Sequence, residues 1–222
     1  MESQNKQKQL RIAVLVSGGG TNLQALIDYE KQHNNSTEIS PYTIVSVLSD
    51  RKDAFALERA KNAGISTEII SAYAILGSEK AKVATRDEKR FAISDKILSV
   101  CQDKSVDLIV LAGFLTVLGG NLVNQYSNKI INLHPALLPK FGGEGMWGHH
   151  VHEAVLAANE KESGCTIHFV DKGCDTGRIL IQKKVPVLSG DTVESLYNRI
   201  APQEHIAMIE GVVSVLPDPH RY

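Results

Sequence analysis

The run Arg11-Ile-Ala-Val-Leu-Val16, broken off by Ser17-Gly18-Gly19-Gly20, constrains the fold of this chain more than any other feature. Unbroken apolar residues over one strand length suit a strand buried on both faces, the habit of parallel sheets. Three glycines stop the strand, and Leu23, Leu26 and Ile27 give the apolar stripe of a helix behind them. Thr21 and Gln24 stand at the spacing of a capping box for that helix. Strand, glycine loop and helix make the opening unit of a doubly wound α/β sheet.

The alternation continues down the chain. Tyr42 to Leu48 reads as a second strand, Ala54 to Ala63 as a helix closed by Gly64, and Ile65 to Ile70 as a short third strand. Glu79 to Gln102 is charged and helix-favouring, with Ile93, Ile97, Leu98 and Cys101 on one stripe, which predicts one long helix. Val106 to Ala112 is another buried strand, a short helix follows near Leu118 to Gln125, and Ile130 to His134 is a strand ended by Pro135. The pattern predicts a single Rossmann-like, mostly parallel sheet whose ligands collect at the carboxyl ends of its strands. Ser17 to Asn22, Gly113 to Leu118 and Asn132 to Pro135 fall at such ends.

The last third differs. Phe141 to His150 is glycine-rich and irregular, and a helix follows with Val151, Ala154, Val155 and Ala158 on one face. Thr166 to Val170 and Ile179 to Val187 predict a C-terminal hairpin around Asp171 to Gly177. One helix opens at Asp191 to Glu194, and another runs from Gln203 to Leu216 until Pro217 and Pro219 stop it. With 222 residues, 43% of them hydrophobic, the expectation is one domain over 10–222 behind a flexible tail at 1–9.

A net charge of −1 gives no global field to recruit nucleic acid or an anionic membrane, so a small-molecule ligand is expected. Cys101, Cys165 and Cys174 are odd in number and lack C-x-x-C spacing, which argues against disulfides or a zinc knuckle and for a reducing cytoplasm. The N-terminal residues have no apolar signal region, and nowhere do the roughly eighteen apolar residues of a membrane span run together.

Three constellations carry chemistry. Asn132 and His134 alternate with Leu133 on a strand end and so project together, an amide and an imidazole able to serve a developing oxyanion and move a proton near neutral pH; the plainer reading is a capped strand end. The loop Ser17 to Asn22 offers backbone amides at a helix N-terminus, where a phosphate is favoured, or is only the turn that lets strand meet helix. It lacks the P-loop lysine, and a dinucleotide fingerprint fails at Leu23, which leaves a monophosphate. Asp175, between Gly173 and Gly177, is a turn residue or the carboxylate that orients His134. His149, His150 and His152 have no carboxylate or cysteine at ligand spacing and read as a solvated helix start rather than a metal site. His168 is a core histidine or a group behind the site, and the charged run Lys80 to Arg90 is a solvated helix face or holds a carboxylate-binding arginine.

Taken together the chain resembles the phosphoribosylglycinamide formyltransferases, folate-dependent enzymes of purine synthesis. The resemblance rests on residues 17–24 (Ser-Gly-Gly-Gly-Thr-Asn-Leu-Gln), 53–60, 111–114 (Leu-Ala-Gly-Phe), 132–140 (Asn-Leu-His-Pro-Ala-Leu-Leu-Pro-Lys) and 203–205 (Gln-Glu-His). It implies formyl transfer from 10-formyltetrahydrofolate to the amine of glycinamide ribonucleotide without a metal. Carried over, Asn132 and His134 stabilise the oxyanion, His134 is the acid in proton transfer, and Asp175 assists it. Gly20, Thr21 and Asn22 hold the substrate phosphate, with Gln203 and Glu204 on the ribose side. Leu115, Thr116, Val117, Leu118, Asp171, Lys172, Gly173 and Cys174 line the folate site, His168 stands behind it, and Arg90, favoured by spacing over Arg86, meets the folate tail. A monomer or weak homodimer is implied.

Two segments depart from the family. Leu115-Thr116-Val117-Leu118 stands where many members have Met-Arg-Ile-Leu, and the 141–150 segment is longer than the usual Tyr-Pro-Gly-Leu-His type. Methionyl-tRNA formyltransferase and formyltetrahydrofolate hydrolase share the Asn-x-His core but resemble longer proteins with an added domain. A silent phosphate-binding module would leave Asn132, His134 and Asp175 as coincidence.

Overall fold

The computed structural model describes residues 9–35 and 39–216. The tail expected at 1–9, apart from Gln9, lies outside the described residues, as do Pro217 and Pro219. Seven strands, β1 (Leu10–Val16), β2 (Tyr42–Ser49), β3 (Thr67–Ile69), β4 (Leu108–Leu111), β5 (Ile130–His134), β6 (Glu162–Phe169) and β7 (Ile179–Pro186), form one sheet in the order β3-β2-β1-β4-β5-β6-β7. Pairing is parallel from β3 to β5 and antiparallel for β5–β6 and β6–β7. This is the Rossmann-like sheet with a C-terminal hairpin that the alternation predicts.

Ile12 to Val16 are all fully buried, as a strand with helices on both faces requires. Ile12, Val14 and Val16 pack with α1 (Thr21–Asn34), α2 (Phe55–Asn62), α7 (His149–Ala157) and α8 (Val193–Ser214). Ala13 and Leu15 face the other way, toward α3 (Ala72–Leu76), α5 (Arg86–Asp103) and α6 (Gly120–Gln125).

Three local expectations fail for physical reasons. The long helix expected at 79–102 is two, α4 (Ser78–Val83) and α5, because Ala84 is extended and Thr85 with Glu88 forms a reciprocal capping box that starts a new helix. The box expected at Thr21 and Gln24 is absent: α1 is led by Gly20 at φ 72° with no side-chain cap, and Gln24 turns outward to Asp28 and Arg59. The two C-terminal helices are one, since α8 runs through Pro202. A proline inside a helix costs on the order of 3 kcal/mol. Leu196, Ile200, Ala207, Met208 and Val212, all fully buried, offset it at about 1.5–3 kcal/mol for each large side chain.

β6 starts at Glu162, four residues before the expected start, and Gly164 lets it approach β7: a Cβ there would run into the Lys183 carbonyl oxygen. Gly164→Ala should therefore lower stability by about 2 kcal/mol or more. A reduced urea midpoint at unchanged slope would register it.

Candidate active site

Strand order reverses direction at β1, and the loops following β1 and β4 open there into a crevice of the kind that takes ligands in such sheets. A cavity of about 680 Å³ occupies it, walled by the loops after β1, β4 and β5, the 143–149 segment, α8 and the β6–β7 connection.

At its centre the antiparallel register sets Asn132 opposite His168 and His134 opposite Thr166. The His168 Nδ1 lies 2.9 Å from the Phe169 carbonyl, so in the neutral ring Nδ1–H donates and Nε2 accepts from Asn132 Nδ2 at 3.1 Å. By the same reasoning His134 Nε2–H donates to the Phe141 carbonyl at 2.7 Å, which leaves Nδ1 as the free nitrogen. Asp175 faces both rings, with Oδ2 3.5 Å from His134 Nδ1 and Oδ1 3.5 Å from His168 Nε2. Its carboxylate also accepts the Gly143 N–H at 3.0 Å. Asp175 adopts a left-handed φ of 57°, and Gly142 makes room for it, since a Cβ on Gly142 would sit 3.2 Å from that of Asp175.

Burial drives the His134 imidazole below its ordinary pKa and the His168 ring adds to this, against the pull of Asp175 and the Phe141 carbonyl. Burial opposes ionisation of Asp175, yet the His168 ring, the Gly143 N–H and the His134 ring together outweigh it and hold the carboxyl below its usual value. At neutral pH the pair is therefore a neutral imidazole beside a carboxylate. Nδ1 can take a proton, and the imidazolium formed would be stabilised at once.

On the other side of the cavity, Gly18 and Gly19 have open space around them, while Gly20 packs on α2, where a Cβ would meet the Ala56 Cβ at 2.5 Å. Gly20 is thus required by its backbone and by α2 as much as by any ligand. Asn22 Nδ2 donates to Glu204 Oε2 at 3.1 Å, and Asn22 Oδ1 is buried without a partner. Burial raises the Glu204 pKa, with the Asn22 bond opposing.

The structure brings Gly20, Thr21, Asn22, Leu115 to Leu118, Asn132, His134, His168, Asp171, Gly173, Cys174, Asp175 and Glu204 to one cavity. Gln203 and Lys172, expected there, are outside its lining. Arg90 is outside too, because its guanidinium donates to the Leu118 carbonyl from Nη2 at 2.7 Å and Nε at 3.3 Å; Arg86, one turn earlier, lines the cavity instead.

Sequence reasoning missed Arg51, Tyr197 and the burial of His152. His152 is 1% exposed rather than solvated, lying on the buried face of α7 with Val151 and Val155, with its ring 6.0 Å from that of Tyr197. Its place on the stripe of Val151 and Val155 was the available signal. Among the described residues no group of three His, Cys, Asp or Glu could hold a metal ion, and no helix is long and apolar enough to cross a membrane.

Residues 10–212 match the formyl transferase family model, and the chain belongs to that family. It is 36% identical over 209 residues to the phosphoribosylglycinamide formyltransferase of Escherichia coli, covering 94% of this chain and 88% of that one. It is similar to the crystal structure of glycinamide ribonucleotide transformylase 1 from Symbiobacterium toebii (TM-score 0.78, 37% identity, 92% and 86% covered). It is also 37% identical to the trifunctional purine biosynthetic protein adenosine-3 of Drosophila melanogaster, of whose length it spans 15%. Within the family the chain falls with the phosphoribosylglycinamide formyltransferases.

Burial, with His149 and His134 nearby, pushes the His152 pKa from 6.5 down to about 4. A folded pKa below the unfolded one means that stability is fully present above pH 6.5 and is lost as pH falls toward 4. That loss is on the order of 3 kcal/mol for this residue. The difference in urea midpoint between pH 7 and pH 4.5 should shrink in His152→Asn relative to the parent.

Proposed function

We propose that this chain transfers the formyl group of 10-formyltetrahydrofolate to the amine of glycinamide ribonucleotide in purine synthesis. It would act in the cytoplasm as one domain over 10–222, as a monomer or weak homodimer. The reading is carried by the Asp175 carboxylate, 3.5 Å from both His134 Nδ1 and His168 Nε2, on the wall of the cavity that the glycine loop also lines.

The ribonucleotide phosphate sits on the amides of residues 18–21 with the Thr21 hydroxyl, at the N-terminus of α1, and Glu204 takes its ribose. The reduced folate lies along Leu115 to Leu118 and the 171–175 turn, its tail carboxylate toward Arg86 in place of Arg90. The amine attacks the formyl carbon, forming the C–N bond and placing negative charge on the formyl oxygen. Asn132 has one N–H held by His168, which aims the other at that oxyanion. His134 Nδ1 takes the proton shed by the amine, directly or through water. The resulting imidazolium, beside Asp175, adds positive charge near the oxyanion, then gives the proton to the departing folate nitrogen as its bond to carbon breaks. No step of this sequence calls for a metal.

Purified protein should consume 10-formyltetrahydrofolate only when glycinamide ribonucleotide is present. Consumption without it would point to a hydrolase, and tight phosphate-ester binding without turnover to a binding module. Asp175→Asn should keep substrate binding and lose about a hundredfold or more in kcat; near-normal turnover would remove Asp175 from the mechanism. Because His134 acts as a neutral base of lowered pKa, the acid limb of the kcat/KM profile should lie below the ordinary histidine value of 6.5.

A further inference from the structure

Asp50 is the first residue after β2 and is not part of the cavity lining. Its carboxylate nevertheless joins the loops that follow three strands. Oδ1 accepts the Ser17 hydroxyl at 2.7 Å, at the end of β1, and Oδ2 accepts the Thr116 hydroxyl at 2.7 Å, in the segment after β4. Ser17 Oγ in turn accepts the Leu115 N–H at 2.9 Å, so the relay holds the Leu115–Thr116 segment at two points, one on the backbone and one on a side chain. Hydrogen bonds to an ionised group are roughly twice as strong as neutral ones, and both of these are short.

The two loops depend on this carboxylate unequally. The loop after β1 keeps backbone ties of its own, Ser17 N to the Gly113 carbonyl and Ala56 N to the Gly18 carbonyl, both at 3.0 Å. The segment after β4 is fixed at its ends, by the Gly113 carbonyl on Ser17 N and by Arg90 on the Leu118 carbonyl, while between them Leu115, 40% exposed, and Thr116 are held through the Asp50 relay.

We propose that Asp50 is a positioning residue for the formyl donor: through Ser17 and Thr116 it sets the Leu115–Leu118 wall against which the reduced folate lies. The proposal rests on the formyl-transfer reading for its ligand, while the tie itself can be measured without one. In ligand-free protein, amide hydrogen exchange over 113–118 should quicken in Asp50→Ala, and exchange over β1 and β5 should not. In steady-state kinetics the KM for 10-formyltetrahydrofolate should rise about tenfold in Asp50→Ala and about threefold in Thr116→Val, the isosteric loss of one hydroxyl. In Asp50→Ala the KM for glycinamide ribonucleotide and kcat should stay within about twofold, because the phosphate loop and the Asn132, His134 and Asp175 centre keep their own bonds. The double variant should be no worse than Asp50→Ala alone, since both changes remove the same tie.

Unchanged exchange over 113–118 in Asp50→Ala would overturn the tie whatever the protein acts on. Faster exchange with an unchanged donor KM, or an equal fall in kcat for both variants, would overturn the positioning role. A parent protein inert toward both substrates would instead defeat the formyl-transfer reading and the donor-positioning role, leaving the exchange result to judge the tie alone.

Discussion

A carboxylate shared by two buried imidazoles is the interaction on which the rest of the site depends. Asp175 is mostly sequestered from water, and a buried charge without partners would be protonated or expelled. The Gly143 N–H donates to it, and the His168 and His134 rings beside it favour its charge to the extent that they carry a proton toward it. Each partner then acquires a fixed role. His168 is locked by the Phe169 carbonyl on its far side and hands Asn132 a single orientation, and His134 is locked by the Phe141 carbonyl, which turns its Nδ1 toward Asp175. Two main-chain oxygens thus decide which nitrogen does what. The same arrangement uses a left-handed backbone at Asp175, next to Gly142, where a Cβ would meet Leu138 at 2.5 Å and Asp175 at 3.2 Å.

The sheet supplies the meeting place. β5 is the strand where pairing changes from parallel to antiparallel. Its parallel neighbour β4 delivers a loop at the same end of the sheet, and its antiparallel neighbour β6 runs back from that end and carries His168 into register with Asn132. The hairpin that follows returns Asp175 over the top. A wholly parallel sheet would have needed a crossover helix at this point, whereas here the 170–178 connection leaves β6 beside the start of β5 and folds back to bring Asp175 to His134.

Much of this was legible in the sequence because it follows from short-range rules. The buried run Ile12 to Val16 and its glycine stop announce a parallel strand feeding a ligand loop, and the alternation of Asn132, Leu133 and His134 announces two polar groups on one face. What stayed hidden depends on tertiary competition. Pro202 reads locally as a break, but a long buried face holds α8 together around it. The charge-rich stretch before residue 103 conceals a Thr-x-x-Glu box that cuts one helix into two. Arg86 and Arg90 are one helical turn apart, and which of them is free is decided by the Leu118 carbonyl, a group that no spacing argument from the sequence can locate. His152 was read from its histidine neighbours when its apolar neighbours Val151 and Val155 decided its environment.

The bond between Asn22 and Glu204 spans 182 positions of sequence and joins the loop that follows the first strand to the last helix described. Its consequence is that one wall of the pocket depends on both ends of the described chain. Glu204 provides that wall from α8, which packs on β6 and β7. The pocket is therefore closed by the two ends of the described chain meeting, and neither end holds the wall beside Asn22 without the other.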